Sequence, residues 1–139
     1  MSRVILDASV AMAWCFPDEG GAYAHAVLRF LRTAEAIVPS IWSLEVGNAL
    51  LVAERRRRLK PGDAARFLGL LEGLSVEVDP LTASKALNAT ISIARERGLS
   101  VYDASYLELA MREGLPLATL DRDLKKAAEH AGVKVLPPT

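Results

Sequence analysis

Val4-Ile5-Leu6-Asp7-Ala8-Ser9 is the stretch on which the fold turns: a short apolar run that an acid stops at once, followed by residues that open a helical pattern. Four further short runs follow along the chain, Ala36-Ile37-Val38, Val76-Glu77-Val78, Leu117-Ala118-Thr119 and Val133-Lys134-Val135-Leu136. Between them apolar residues recur at helical spacing, as in Ala24, Val27, Leu28 and Leu31, in Ala83, Leu87, Ile91 and Ala94, and in Leu124, Ala127, Ala128 and Ala131. Two helices are expected between the second and third strands, over Ser40–Arg56 and Pro61–Glu72. Two more are expected between the third and fourth, over Leu81–Arg97 and Ser100–Arg112. Strands separated by helices pair in parallel through right-handed crossovers. The expectation is an α/β fold, a three-layer α/β/α sandwich on a short parallel five-stranded sheet.

The 139 residues suit one domain spanning 1–139, and 51% apolar content supports a buried core. Lys plus Arg and Asp plus Glu both number 17, so bulk positive charge is not what would hold a nucleic acid. Cys15 is the single cysteine, which rules out an intrachain disulfide and a cysteine-rich zinc site. His25 and His130 stand far apart in helical patterns, as surface or structural residues. The longest apolar stretch, Ala8 to Phe16, is too short to span a bilayer, and Asp7 interrupts any signal-peptide core. A soluble, cytoplasmic domain with no membrane association is expected.

In parallel α/β sheets ligands collect beyond the carboxyl ends of the strands. Asp7 follows the first strand and Asp121 the fourth, so both fall on that edge. Each is read either as a helix cap or as a ligand. Ser100-Val101-Tyr102-Asp103 reads as a capping box, a role that leaves oxygen lone pairs free on Asp103. Glu45 lies among Ile41, Trp42, Asn48, Ala49 and Val52 on a mostly apolar helix face. It needs a partner there, either a cation or an arginine such as Arg55 or Arg56 of a second copy. Were these acids to converge, two carboxylates about 4 Å apart would repel by roughly 4 kcal/mol at an effective dielectric near 20. With no His or Cys at hand, the ligation left is all-oxygen, suited to Mg²⁺ or Mn²⁺ rather than zinc.

Four blocks, in order, resemble the PIN-domain ribonucleases, and most closely the VapC toxins of toxin–antitoxin pairs. They are Asp7-Ala8-Ser9-Val10-Ala11 with Trp14 and Pro17-Asp18-Glu19; Ser43-Leu44-Glu45-Val46-Gly47-Asn48-Ala49-Leu50; Val101-Tyr102-Asp103-Ala104-Ser105-Tyr106-Leu107; and Ala118-Thr119-Leu120-Asp121-Arg122-Asp123-Leu124. The resemblance implies a PIN-like fold and a Mg²⁺- or Mn²⁺-dependent endoribonuclease leaving 5′-phosphate and 3′-hydroxyl ends. It also implies a homodimer inhibited by a cognate antitoxin. Position by position it makes Asp7, Glu45, Asp103 and Asp121 the catalytic and metal-binding acids. Ser9 and Thr119 match the hydroxyl positions that support them, and Asp123 falls where some members carry another acid. Ala13 departs from relatives that often have a basic residue there.

Arg122, beside Asp121, is the candidate contact for an RNA phosphate. The run Arg55-Arg56-Arg57-Arg58 is read as a helix end, and Tyr102 as packing. Trp14, Tyr23, Phe30 and Trp42 are read as core, with a groove for an antitoxin helix as the alternative. Other functions fit less of the pattern. A phosphatase with Asp7 as nucleophile would want an acid at Ser9. A receiver-like phospho-accepting domain has no use for Glu45, and a PIN-like RNA- or protein-binding module without catalysis would not need all four acids.

Overall fold

β1 (Ser2–Leu6) is the strand around which the rest of the computed structural model, describing residues 2–16 and 21–137, is assembled. Val4, Ile5 and Leu6 are fully buried, as a strand covered on both faces by helices requires. β2 (Ala34–Val38) and β4 (Leu117–Ala118) flank it, and β3 (Val76–Val78) lies outside β2, giving the order β3-β2-β1-β4 with every pairing parallel. The chain steps outward from β1 to β3 and then returns to lay β4 on the other side of β1. The carboxyl ends of β1 and β4 therefore border the point where strand order reverses, the crevice in which such sheets place ligands. Pro17-Asp18-Glu19, part of the first family-like block, lies outside the described residues.

The α/β class is as expected, but the sheet has four strands rather than five. The fifth run contributes one parallel bridge, Val135 to Leu117. Its backbone does make the two bonds around Leu117, at 2.9 Å from the Leu117 N–H to Lys134 and 2.8 Å from the Leu136 N–H to Leu117. β4 is only two residues long, and Pro137 follows with no N–H to extend the ladder.

Helices α1 (Ala8–Cys15), α2 (Gly21–Phe30), α3 (Trp42–Arg55) and α4 (Asp63–Glu72) connect β1 through β2 to β3. Between β3 and β4, the single helix expected over Leu81–Arg97 is instead α5 (Thr82–Lys85), a π-helical turn (Ala86–Thr90) and α6 (Ile91–Arg97). The wider turn shifts the helical phase, so the expected stripe is broken: Leu87 is 85% exposed, while Thr90 and Ala94 are buried. α7 (Val101–Glu113) is buried continuously from Ala104 to Ala110, and α8 (Arg122–His130) packs Leu124, Ala127 and Ala128 inward. Gly98 and Gly114 end α6 and α7 in the left-handed conformation, at φ 67° and 64°.

An ionic triad fixes α7. Arg112 donates to both oxygens of Asp79, just beyond β3, at 3.1 and 2.7 Å, and to both oxygens of Glu108 one turn back at 2.9 Å each. Asp79 also accepts from the Leu81 N–H and the Thr82 hydroxyl, and the Thr82 hydroxyl accepts from the Ser40 N–H. The C-terminal end of α7 is thereby tied to the loops that follow β2 and β3.

Candidate active site

All four of the singled-out acids sit at helix N-termini. Asp7 and Asp121 are the N-cap residues of α1 and α8, and Glu45 and Asp103 lie in the first turns of α3 and α7. The partial positive charge of four helix starts is thus gathered on one edge of the sheet, where it favours carboxylates.

Asp7 is buried and does not cap its helix with its side chain. Its Oδ2 accepts instead from the Ser9 and Thr119 hydroxyls, each at 2.7 Å. Those hydroxyls in turn accept backbone N–H groups, Ser9 from Leu120 and Thr119 from Asp121, both at 3.0 Å. The loop after β4 is therefore latched to the end of β1 through Asp7. Asp121 is a true cap, accepting from the Leu124 N–H at 2.9 Å. Ser100 caps α7 as the capping box predicts, accepting from the Asp103 N–H at 3.0 Å.

Glu45 has a partner that neither sequence alternative named. The Tyr106 hydroxyl donates to its Oε1. Tyr106 is completely buried three residues after Asp103 on α7, whereas Tyr102, read as packing, is 61% exposed. The spacing of Asp103 and Tyr106 on one helix face was the available signal.

The electrostatics put these acids within one another's fields. Burial pushes the Asp7 carboxyl up, the Ser9 and Thr119 hydroxyls oppose it, and the charge of Asp121 adds to the rise. Burial also raises Glu45, against the Tyr106 hydrogen bond and with help from Asp7 and Asp103. Asp103 is raised by burial and then by Asp121, Asp7 and, least of all, Asp123, against the Ser100 hydrogen bond. None of the four forms an ion pair among the described residues. The arrangement is an uncompensated pool of negative charge, the condition that a cation relieves.

As the side chains stand, no three Asp, Glu, His or Cys among the described residues converge closely enough to ligate one ion directly. An oxygen-only donor set still fits Mg²⁺, which keeps several of its waters and takes one or two carboxylates directly.

Arg122 is exposed on the first turn of α8 and lines a cleft of about 520 Å³ with Tyr23, Thr119, Leu120, Asp121 and Lys125. Arg55 to Arg58 are exposed at and beyond the end of α3, with Arg58 over the Phe16 ring at 4.3 Å. Trp14 and Trp42 are buried in the core, and Tyr23 and Phe30 are half-buried against it, with Tyr23 also on the wall of that cleft. Among the described residues no helix is long and apolar enough to cross a membrane.

Comparison with known proteins agrees with this architecture. The family model of the PIN domain matches residues 4–130. Ribonuclease VapC3 of Pyrobaculum aerophilum is 29% identical over 122 residues, 88% of this chain and 92% of that protein. The crystal structure of PAE2754, also from Pyrobaculum aerophilum, superposes with a TM-score of 0.66 at 30% identity, covering 91% of this chain and 79% of that one. VapBC2 of Rickettsia felis, solved bound to a DNA fragment from its promoter, gives a TM-score of 0.68 over 96% of this chain and 97% of its own. Its identity of 12% makes that a likeness of fold.

Proposed function

The chain belongs to the PIN-domain family, and from that premise we propose that it is a Mg²⁺- or Mn²⁺-dependent endoribonuclease, the toxin of a VapBC-like toxin–antitoxin pair. The observation that carries this reading is the set of acids at four helix starts, none in an ion pair among the described residues, with Asp7 and Glu45 held by hydroxyls rather than by arginines. The name of the relative VapC3 as a ribonuclease supports the activity, and VapBC2 supports an antitoxin as partner.

Asp7, Asp103 and Asp121, with Glu45, would hold the ion, in part through its waters. A bound divalent ion would neutralise charge on a phosphate oxygen and lower the pKa of a water at the site. Ser9 and Thr119 keep Asp7 in one orientation, with Oδ2 occupied and Oδ1 left for the site. Glu45 orients the attacking water from α3, and in-line attack on the phosphodiester leaves a 5′-phosphate and a 3′-hydroxyl. Arg122 meets a phosphate of the RNA next to Asp121. The whole of 1–139 acts as one cytoplasmic PIN-like domain and works as a homodimer. Leu44, Leu87 and Tyr102, exposed at 71%, 85% and 61%, supply apolar surface for a protein partner.

The test is cleavage of a mixed RNA pool by antitoxin-free protein, with Mn²⁺ or Mg²⁺ against EDTA and beside Asp103→Asn. Metal-dependent cutting that the variant lacks is expected. No cutting together with no metal binding returns the acids to capping. That no three of the acids converge on one point among the described residues favours one second reading, a PIN-like module that binds RNA or protein without cutting. RNA binding without cleavage in the same assay supports it.

A further inference from the structure

We propose that Tyr106 is a positioning residue of this site, pinning Glu45 through Oε1 so that Oε2 alone is presented to the ion and its water. The inference rests on the nuclease reading and adds to it a residue on which the acids depend. Glu45 carries three side-chain torsions, is only half-buried, and faces the negative charges of Asp7 and Asp103. Left to itself it would swing outward into solvent, away from the acids it is needed beside. Tyr106 prevents that from within the core. Its ring is entirely buried on α7, its hydroxyl donates to Oε1, and among the described residues no other side chain hydrogen-bonds Glu45.

Tyr106 and Asp103 share a face of α7 three residues apart, so the bond does more than fix a rotamer. It sets the separation of α3 from α7 at the site, and with it the spacing of Glu45 from Asp103. The phenol's one hydrogen is committed to Glu45, so Tyr106 takes no part in the chemistry itself and acts only through that carboxylate. Groups that orient the ligands of a metal cost about 10–100-fold in affinity or activity when removed, and that is the scale expected here.

The experiment compares the full chain with Tyr106→Phe, Glu45→Gln and the double variant, following Mn²⁺ affinity by calorimetry, RNA cleavage kinetics and thermal melting. Tyr106→Phe keeps the ring in the core and should melt as cooperatively as the parent. It should lose about 10–100-fold in Mn²⁺ affinity or kcat, with KM for RNA unchanged. Adding Tyr106→Phe to Glu45→Gln should cost nothing further, because Tyr106 acts only through that carboxylate. Parental Mn²⁺ affinity and kcat in Tyr106→Phe would overturn the inference, as would losses that multiply in the double variant. Should Tyr106→Phe fail to fold, the tyrosine Raman doublet of Glu45→Ala decides. A change in that doublet upholds the bond to Glu45, and an unchanged one refutes it. A parent that neither cuts RNA nor binds Mn²⁺ sinks the nuclease reading and this inference with it. A parent that does both, beside an indifferent Tyr106→Phe, sinks the inference alone.

Discussion

Replacing Arg112 with methionine leaves the apolar stem and removes the positive charge that compensates two buried acids. The side chains of Asp79 and Glu108 are 5% and 7% exposed and that of Arg112 is 18% exposed, so solvent cannot take over its role. All four carboxylate oxygens lose a donor, at distances of 2.7 to 3.1 Å. Breaking a buried pair from one side costs about 3–5 kcal/mol, and at roughly 3 °C per kcal/mol for a domain of this size the melting temperature should fall by about 10–15 °C. The pH dependence gives an independent check. Burial raises the Asp79 carboxyl, but donation from Arg112, the Leu81 N–H and Thr82 outweighs it and holds the group below its ordinary value. A depressed carboxylate contributes stability that is complete above its unfolded pKa of about 3.9 and is lost as pH falls through the folded value. The gap between parent and Arg112→Met should therefore be widest near neutrality and close below about pH 4. Calorimetry at several pH values reads both quantities. A melting point within about 3 °C of the parent at pH 7, less than 1 kcal/mol, would refute the reasoning. So would a gap that persists in acid. Replacing all three residues, as Asp79→Asn, Glu108→Gln and Arg112→Met, should restore most of the loss.

Asp7→Asn should abolish cleavage and yet raise the metal-free melting temperature at pH 7. The folded Asp7 carboxyl titrates above its unfolded value, so stability falls as pH rises between the two. The advantage of asparagine should vanish in acid, and a less stable variant at pH 7 would contradict the electrostatic account. Saturating Mn²⁺ should raise the melting temperature of the parent, by about 2.7 kcal/mol of stability at 100 times Kd, and leave that of Asp7→Asn almost unmoved. Ser100→Ala removes the cap of α7 and should cost about 0.5–2 kcal/mol in urea unfolding. Gly114→Ala forces a side chain into φ 64° and should cost about 1 kcal/mol in the same assay, though no atom would clash with the new methyl group.

The alternation of short apolar runs with helical stripes was sufficient for the α/β class, because parallel strands cannot be joined without crossovers. It also placed Asp7 and Asp121 on the carboxyl edge, since each follows its strand directly. What it missed depends on contacts between distant elements. Val133 to Leu136 has the composition of a strand, but a strand needs a neighbour long enough to pair with, and β4 stops after two residues. The π-helical turn leaves no mark in composition, yet it moves Leu87 from the expected core to the surface. Of the two tyrosines near Asp103, local pattern drew attention to Tyr102. The fold instead buries Tyr106, on a helix that packs against β1 and β4, with its hydroxyl on Glu45. The Asp79–Arg112–Glu108 triad joins residues 33 apart, and no spacing rule reaches that far.

The bond from Thr119 to Asp7 spans 112 residues of sequence. During synthesis at about 5–20 residues per second, the ribosome makes Asp7 on the order of 6–22 s before the residue that secures it. Asp103 and Asp121 are also made late, and β1 waits for β4 to close its second side. A partly made chain thus carries Asp7 and Glu45 without the latch on Asp7 or the two later acids. An enzyme that cuts RNA while still attached to the ribosome would endanger its own message. For the nuclease proposed above, the order of the strands postpones assembly of the four acids until Asp121 has been made.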